Sequence, residues 1–144
     1  MTIEKDKLES IIREVLGEML TETDKTHGVK KIALPTVSVR DKDRMDTGKP
    51  EDIVYTRDLF TLDESPRLGC GLMEMEKTTF DWTLTYDEID YVIDGELSVV
   101  IDGETVTAGP GEIILIPKGS SIQFSVKDKA RFIYVVYPAN WQNA

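Results

Sequence analysis

Two runs of β-prone residues flank the dipeptide Asp102-Gly103. The first run is Leu97–Ile101 and the second is Glu104–Ala108. Asp-Gly is a strong signal for a two-residue hairpin turn, because both central positions of such a turn need a positive φ angle. The sequence therefore predicts an antiparallel hairpin, which commits this part of the chain to a sheet with antiparallel neighbours.

Turn and strand signals continue towards the C-terminus. The turn at 109–111 (GPG) precedes the apolar run Ile113–Ile116, and the turn at 117–119 (PKG) ends it. Apolar and polar residues then alternate over 122–126, and residues 131–137 form a last predicted strand. Many short strands separated by frequent turns are typical of a sandwich or barrel. We therefore predict an all-β domain.

The N-terminal segment has a helical period instead. Its apolar residues recur at spacings of three and four, as on one helical face. They are Leu8, Ile11, Ile12, Val15, Leu16, Met19 and Leu20. The polar residues that follow have no period and include Gly28. We predict an amphipathic helix within 1–22, a linker over 23–31 and the all-β domain over 32–144.

Charge excludes some partners. The chain has 27 acidic and 17 basic residues, a formal net charge of −10. Such a chain repels nucleic-acid phosphates and anionic lipids, and no apolar run is long enough to span a bilayer. We therefore expect neither nucleic acid nor membrane as a partner.

Two patterns resemble the motifs of the cupin superfamily. Gly111 followed after five residues by Pro117-Lys118-Gly119 resembles the second motif, and Glu88 followed after six residues by Gly95 resembles the end of the first. The resemblance implies a cupin-type jelly-roll β-barrel, here with an N-terminal amphipathic helix.

The histidines of metal-binding cupins are missing. The resemblance places them at Trp82, Leu84 and Ile122, or at Asp81 and Thr83 for the first two if the register shifts by one residue. The one histidine of the chain, His27, falls in the predicted linker. Glu88 remains, but one carboxylate does not hold a transition metal. We therefore expect no transition metal and no tightly bound cofactor.

Longer strings resemble the EutQ family of ethanolamine utilisation proteins. They are Phe80–Leu97 (FDWTLTYDEIDYVIDGEL), Pro117–Ile122 (PKGSSI) and Val136–Gln142 (VYPANWQ). The resemblance implies a role in bacterial ethanolamine breakdown, in the cytoplasm at or in a protein-shelled microcompartment. It also implies acetate kinase activity, which would use ATP and Mg²⁺.

The N-terminal helix resembles the encapsulation peptides of microcompartment proteins. The resemblance implies that its apolar face binds shell or core proteins; this face includes Leu8, Ile12, Val15, Leu16 and Met19. In the alternative, the helix packs on its own barrel. The spacing of its apolar residues fits both arrangements. The cupin resemblance also implies a homodimer.

A candidate site follows from alternation along two strands. Trp82, Leu84 and Tyr86 share one strand face, and Glu88, Asp90 and Val92 share another. In a cupin register both faces line the barrel interior, where desolvation and mutual repulsion raise carboxyl pKa values. Glu88 and Asp90 would then be a general acid–base pair or magnesium ligands. In the alternative, Asp90 points outward or pairs with an arginine such as Arg131.

Two function classes remain open. The first is an acetate kinase with Glu88 and Asp90 as its acidic centre and Trp82, Tyr86 and Lys118 as substrate contacts. The second is a non-catalytic cupin that assembles or targets the microcompartment. The sequence has no phosphate-binding loop of the G-x-x-x-x-G-K-[ST] type, which favours the second class.

Overall fold

The computed structural model describes residues 4–143, apart from the side chains of residues 15–25. The chain forms two units, of which one ends at Leu34 and the other begins at Pro35.

The first unit contains helix α1, Lys5–Thr26. The helix is longer than the sequence pattern predicted and includes residues 23–26 of the predicted linker. None of these residues is Gly or Pro, so the loss of the apolar period does not stop the helix. It ends where His27 and Gly28 adopt positive φ angles of 53° and 84°. A left-handed conformation at this position is a common helix terminator.

The second unit is built from seven strands. They are β1 Ile53–Asp58, β2 Gly69–Thr83, β3 Asp87–Gly95, β4 Leu97–Ile101, β5 Glu104–Ala108, β6 Ile113–Ile116 and β7 Ser121–Tyr137. Within the predicted all-β domain of 32–144, the first strand begins only at Ile53: residues 32–52 contain two short 3₁₀ turns and an isolated bridge from Arg44 to Tyr55.

All strand pairs are antiparallel, and the order is β1-β2-β7-β3-β6, with β4 joining β5 to β7. The sequence predicted two separate segments where β7 is one strand of 17 residues. The ladder with β2 continues because Lys129 still pairs with Glu76 beside a register shift between Glu76 and Thr78. Strand β7 therefore connects three neighbours, β2, β3 and β4.

The predicted hairpin is confirmed. Strands β4 and β5 pair with Ile101 opposite Glu104, and the turn residues Asp102 and Gly103 have φ angles of 49° and 78°. Two positive φ angles are the signature of the type I′ turn that Asp-Gly favours.

Strand β3 places two carboxyl groups on its buried face and two apolar side chains on its exposed face. Glu88, Asp90 and Val92 are buried, whereas Ile89 and Tyr91 are exposed. The inward face of β3 that the cupin register predicted is therefore confirmed. The core around it is apolar and includes Leu84, Leu97, Ile114, Phe124 and Phe132. The single strand face predicted for Trp82, Leu84 and Tyr86 is wrong, because β2 ends at Thr83 and the other two residues lie in the turn before β3. In the described part of the chain, no helix is long and apolar enough to cross a membrane.

Candidate functional site

A cavity of about 450 Å³ lies within the second unit. This volume is within the range of small-molecule sites. Its walls come from β1, β2, β3 and β7 and from the segments after Asp58 and after Tyr137. Seven aromatic rings line it: Phe60, Phe80, Trp82, Tyr86, Phe124, Tyr134 and Trp141. Three carboxyl groups also line it, those of Asp46, Asp58 and Glu88.

A pair of buried carboxyl groups lies at the base of the site. Glu88 is 5% exposed and lines the cavity, whereas Asp90 is 0% exposed and does not contribute to the lining. Among the described residues, neither oxygen of Asp90 and not Oε2 of Glu88 has a hydrogen-bond partner. Both alternatives for Asp90 are therefore wrong: it does not point outward, and it is not paired with Arg131, which binds Glu74 and the carbonyl of Val37.

Burial raises the pKa of both carboxyl groups. Desolvation raises the pKa of Glu88, while interactions with Asp90 and Tyr86 oppose the shift. Desolvation also raises the pKa of Asp90 well above its ordinary value, and the nearby Glu88 raises it further. Both shifts favour a pair that keeps a proton, because two adjacent carboxylates without a cation repel each other.

Two tyrosines are fixed by hydrogen bonds at the cavity wall. The indole Nε1 of Trp82 donates to the Tyr86 hydroxyl at 2.8 Å, and the Tyr134 hydroxyl donates to Oδ1 of Asp58 at 3.0 Å. Burial raises the pKa of Tyr86 and of Tyr134, and neighbouring carboxylates raise both further. Both hydroxyls thus stay protonated at neutral pH, and the proton of Tyr134 is already donated to Asp58.

The structure brings together only some of the predicted site residues. Trp82, Tyr86 and Glu88 meet in the cavity, and Asp90 lies near Glu88. Lys118 is exposed on the turn after β6, where its backbone N–H donates to Oδ1 of Asp87 at 2.8 Å, and it does not line the cavity.

The positions predicted for the helix face lie in the first unit. Leu8 and Ile12 are exposed on α1, whereas Val15, Leu16 and Met19 lie outside the residues whose side chains the structure describes.

Sequence reasoning missed Asp58, Tyr134 and Trp141, which line the same cavity. Asp58 ends β1, and Tyr134 follows Phe132 by two positions on β7, so strand alternation alone could have placed Tyr134 on the inner face. Trp141 lies in the C-terminal segment beyond the last strand. Two signals could have found it: the chain has two tryptophans, both of which line the cavity, and Trp141 lies in the string Val136–Gln142 that resembles the EutQ family.

The positions where the cupin resemblance expects histidines carry apolar residues that pack together. Trp82 is directly opposite Ile122 in the β2–β7 ladder, and Leu84 is buried in the same core. Among the residues that the structure describes, no group of three His, Cys, Asp or Glu side chains is placed to hold a metal ion. The expectation that no transition metal binds stays a prediction.

Protonation of the carboxyl pair makes stability depend on pH. Because the folded pKa values are raised above the usual value of about 4, the folded chain binds more protons and its stability falls as pH rises through the raised pKa values. We expect Asp90→Asn to remove part of this loss. Relative to wild type, the variant should gain stability with increasing pH, by at most about 1.4 kcal/mol per pH unit for one proton.

Urea unfolding between pH 4 and pH 9 measures this difference. Asp128→Asn is the matched control, because Asp128 is exposed on β7. If Asp90→Asn differs in stability from wild type by the same amount at every pH, the raised pKa of Asp90 is contradicted.

The fold and the site define a class of protein: a cupin barrel whose histidine positions carry apolar residues and whose cavity is lined by aromatic rings and carboxyl groups. The cupin domain of Cnp3 from Schizosaccharomyces pombe matches at a TM-score of 0.58, with 16% identity over 78% of this chain and 77% of that one. This match confirms the predicted jelly-roll fold.

The particular family follows from closer matches. The family model described as "Ethanolamine utilisation protein EutQ" matches residues 3–143, so the chain belongs to the EutQ family. This match covers much more of the chain than the three strings that indicated the family in the sequence. "Acetate kinase EutQ" from Clostridioides difficile (strain 630) is 59% identical, over 96% of this chain and 94% of that protein. The solved structure of the Clostridium difficile EutQ protein has a TM-score of 0.79 and 70% identity, covering 80% of this chain and 84% of that one.

Proposed function

We propose that the chain transfers a phosphoryl group between ATP and acetate. The observation that carries this proposal is the 59% identity, over nearly the whole chain, to a protein named acetate kinase EutQ. The cavity described above is the proposed active site, because it combines enclosure, aromatic walls and carboxyl groups with raised pKa values. Such combinations are typical of functional sites.

The reaction needs no proton transfer. A carboxylate oxygen of acetate attacks the γ-phosphorus of ATP, a new P–O bond forms, and the bond to the β–γ bridging oxygen breaks. ADP leaves with the electron pair of the broken bond, and acetyl phosphate is the other product. Catalysis of such a transfer depends on positioning and on stabilisation of negative charge.

Side chains of the cavity serve these two tasks. The Tyr86 hydroxyl accepts a hydrogen bond from Trp82, and its own proton, which faces Glu88, can turn to an acetate oxygen. The rings of Trp82 and Trp141 are 6.0 Å apart at an angle of 82°, so they shape a corner around the acetate methyl group. Enclosure by these rings excludes water, which would otherwise hydrolyse acetyl phosphate.

The phosphates need a cation, and the described residues of the lining include no Lys, Arg or His. Glu88 and Asp58 are the residues that would hold Mg²⁺ together with the nucleotide phosphates, an arrangement that needs only one or two carboxylates. The unpaired Oε2 of Glu88 fits this role. When bound, the ion would neutralise charge on the transferred group.

Wild-type protein with ATP, Mg²⁺ and acetate should form acetyl phosphate, which hydroxylamine traps as a coloured hydroxamate. A preparation that forms none, although calorimetry shows it folded, would leave the non-catalytic role as the function. The exposed apolar side chains of α1 are the specific observation that favours that second role.

The second candidate role is attachment to a microcompartment in the bacterial cytoplasm through α1. Leu8, Ile11 and Ile12 are each about half exposed, and together they form an apolar stripe. Amphipathic helices commonly bind a groove on another protein through their apolar face. Shell or core proteins of the compartment are the proposed partners.

Ile12→Glu should abolish this targeting, since a charge in the stripe opposes burial against a partner. Residues 1–31 fused to a fluorescent protein should form foci in cells that make the compartment, and the variant fusion should stay diffuse. Glu14→Gln is the control, because it changes a charge outside the stripe. Foci from the Ile12→Glu fusion, or none from the wild-type fusion, would overturn the targeting role.

We also propose that the second unit forms a homodimer through the outer face of β3 and β6. Ile89 pairs with Leu115 and Tyr91 with Ile113, which makes a continuous apolar surface. Ile113 and Leu115 are each 65% exposed. In a chain with a net charge of −10, an uncharged face is where two copies repel each other least.

Leu115→Lys should convert the dimer to a monomer, because it places two like charges in the interface. Sedimentation velocity measures the change. Thr107→Lys, which adds the same charge at an exposed position of β5, should leave the dimer intact. A wild-type monomer at high micromolar concentration would contradict the proposed dimer.

A further inference from the structure

One side of the cavity is an aromatic corner. The Tyr86 and Trp141 rings are 4.5 Å apart at 34°, and the Trp82 and Trp141 rings are 6.0 Å apart at 82°. Tyr86 therefore stacks on Trp141, whereas Trp82 is steep to Trp141, so the cluster presents rings in two orientations to the cavity. Clusters of this kind attract cations because each ring face carries partial negative charge.

A carboxyl oxygen without a partner lies in the same cavity. Glu88 is 5% exposed, and its Oε2 has no hydrogen-bond partner among the described residues. A buried acceptor that is left unpaired destabilises the folded chain, so Oε2 needs a donor, which is either a proton held by Asp90 or an N–H or O–H group of a ligand in the cavity.

The charge of the cavity selects the sign of that ligand. Asp46 and Asp58 are exposed carboxylates of the lining, and Glu88 lies deeper. The lining residues that the structure describes include no Lys, Arg or His to balance them. A cleft with one sign of charge and apolar walls concentrates ions of the opposite sign.

We propose that this cavity binds a small organic ammonium ion, with its N–H groups donating to Glu88 and its carbon groups against Trp82, Tyr86 and Trp141. A bare metal ion fits the cavity less well. Aromatic rings provide no oxygen or nitrogen ligands, and the described residues include no group of three metal-ligating side chains. The volume of about 450 Å³ also suits an organic molecule rather than a single ion.

The inference goes beyond phosphoryl transfer and does not depend on it. The ammonium group and the phosphate-bound magnesium would both use Glu88, so the amine should compete with the nucleotide complex. An amine would thereby slow the kinase as its concentration rises. Because the chain belongs to a family of ethanolamine utilisation proteins, ethanolamine is a suitable probe.

Tryptophan fluorescence reports binding directly, because both tryptophans of the chain line the cavity. The titrants are ethanolamine hydrochloride, 1-propanol and sodium acetate at neutral pH and constant ionic strength, without nucleotide. 1-Propanol has nearly the shape of ethanolamine but no charge. We expect a saturable change with ethanolamine and at least about tenfold weaker binding of the other two, since a hydrogen bond between charged groups is lost.

Two variants test the named contacts. Glu88→Gln should weaken ethanolamine binding at least about tenfold, because it removes the charge and keeps the shape. Trp141→Leu should also weaken it, and Trp82 then remains as the reporter. Glu104→Gln makes the same chemical change as Glu88→Gln at an exposed position of β5 and should have no effect.

Several outcomes would overturn the inference. Equal affinity for ethanolamine and 1-propanol would show that charge is not recognised, and an unchanged affinity in folded Glu88→Gln would remove the carboxylate from the site. A saturable response to MgCl₂ alone that blocks ethanolamine binding would assign the cavity to a divalent cation. If acetyl phosphate forms but ethanolamine neither binds nor inhibits, this inference fails alone. If ethanolamine binds but no acetyl phosphate forms, the proposed kinase function fails alone.

Discussion

Glu88→Gln should lower the rate of phosphoryl transfer by about a hundredfold or more, which is the usual effect of removing one group that stabilises charge in a transition state. The substitution keeps the shape of the side chain and removes its charge. Glu88 is the deeper of the two proposed magnesium ligands, and its Oε2 has no protein partner among the described residues. Steady-state assays with ATP, Mg²⁺ and acetate measure the loss.

Stability should move in the opposite direction from activity. Desolvation raises the pKa of Glu88, which means that burial opposes its ionised form. A neutral amide avoids that penalty, so the free energy of unfolding should be unchanged or higher. Glu104→Gln, on the surface of β5, should change neither quantity. A fully active Glu88→Gln variant would remove Glu88 from the catalytic site, and one that unfolds would assign it a structural role.

Gly95→Ala should prevent the second unit from folding stably. Gly95 ends β3 with a φ angle of 77°, and a Cβ atom there would lie 1.9 Å from the backbone oxygen of Lys129. That oxygen belongs to β7, which pairs with three other strands, so it has little room to shift. We expect a loss of more than about 4 kcal/mol, a large part of the stability of a typical domain.

Gly103→Ala separates the penalty of a positive φ angle from that of the close approach to Lys129. Gly103 has nearly the same φ angle, 78°, but a Cβ atom there would meet nothing within 4 Å. It should therefore lose only about 1–2 kcal/mol, the penalty of a left-handed backbone for a residue with a Cβ. Thermal unfolding of both variants gives the comparison. Similar melting temperatures would show that the close approach to Lys129 is not rigid.

The hairpin and strand β3 show how far local patterns reach. Asp102-Gly103 fixed both the position and the register of the β4–β5 hairpin, because a two-residue turn leaves the adjoining residues one way to pair. Alternation placed Glu88 and Asp90 on one face, and the cupin resemblance chose the inner one. Both predictions are confirmed. Ile89 and Tyr91 are apolar, so composition alone would have placed them on the inner face of β3 and the two carboxyl groups on the outer face.

Helix α1 and strand β7 show where local patterns fail. The apolar period of α1 ends several residues before the helix does, because a helix stops at a residue with an incompatible backbone rather than at its last apolar side chain. Residues 127–129 have no strand pattern, yet they continue β7 because Lys129 pairs with Glu76 in β2. That pairing joins residues more than fifty positions apart and leaves no local signal.

The sequence by itself determined the fold class, the loss of the histidine triad and the pairing of two carboxyl groups on one strand face. Each of these depends on residue identity or on spacing within a single strand. Only the tertiary structure decided that Asp58, Tyr134 and Trp141 join Trp82, Tyr86 and Glu88 around one cavity, while Lys118 lies outside it. These residues come from distant segments, and their convergence depends on strand order and register, which long-range pairing sets.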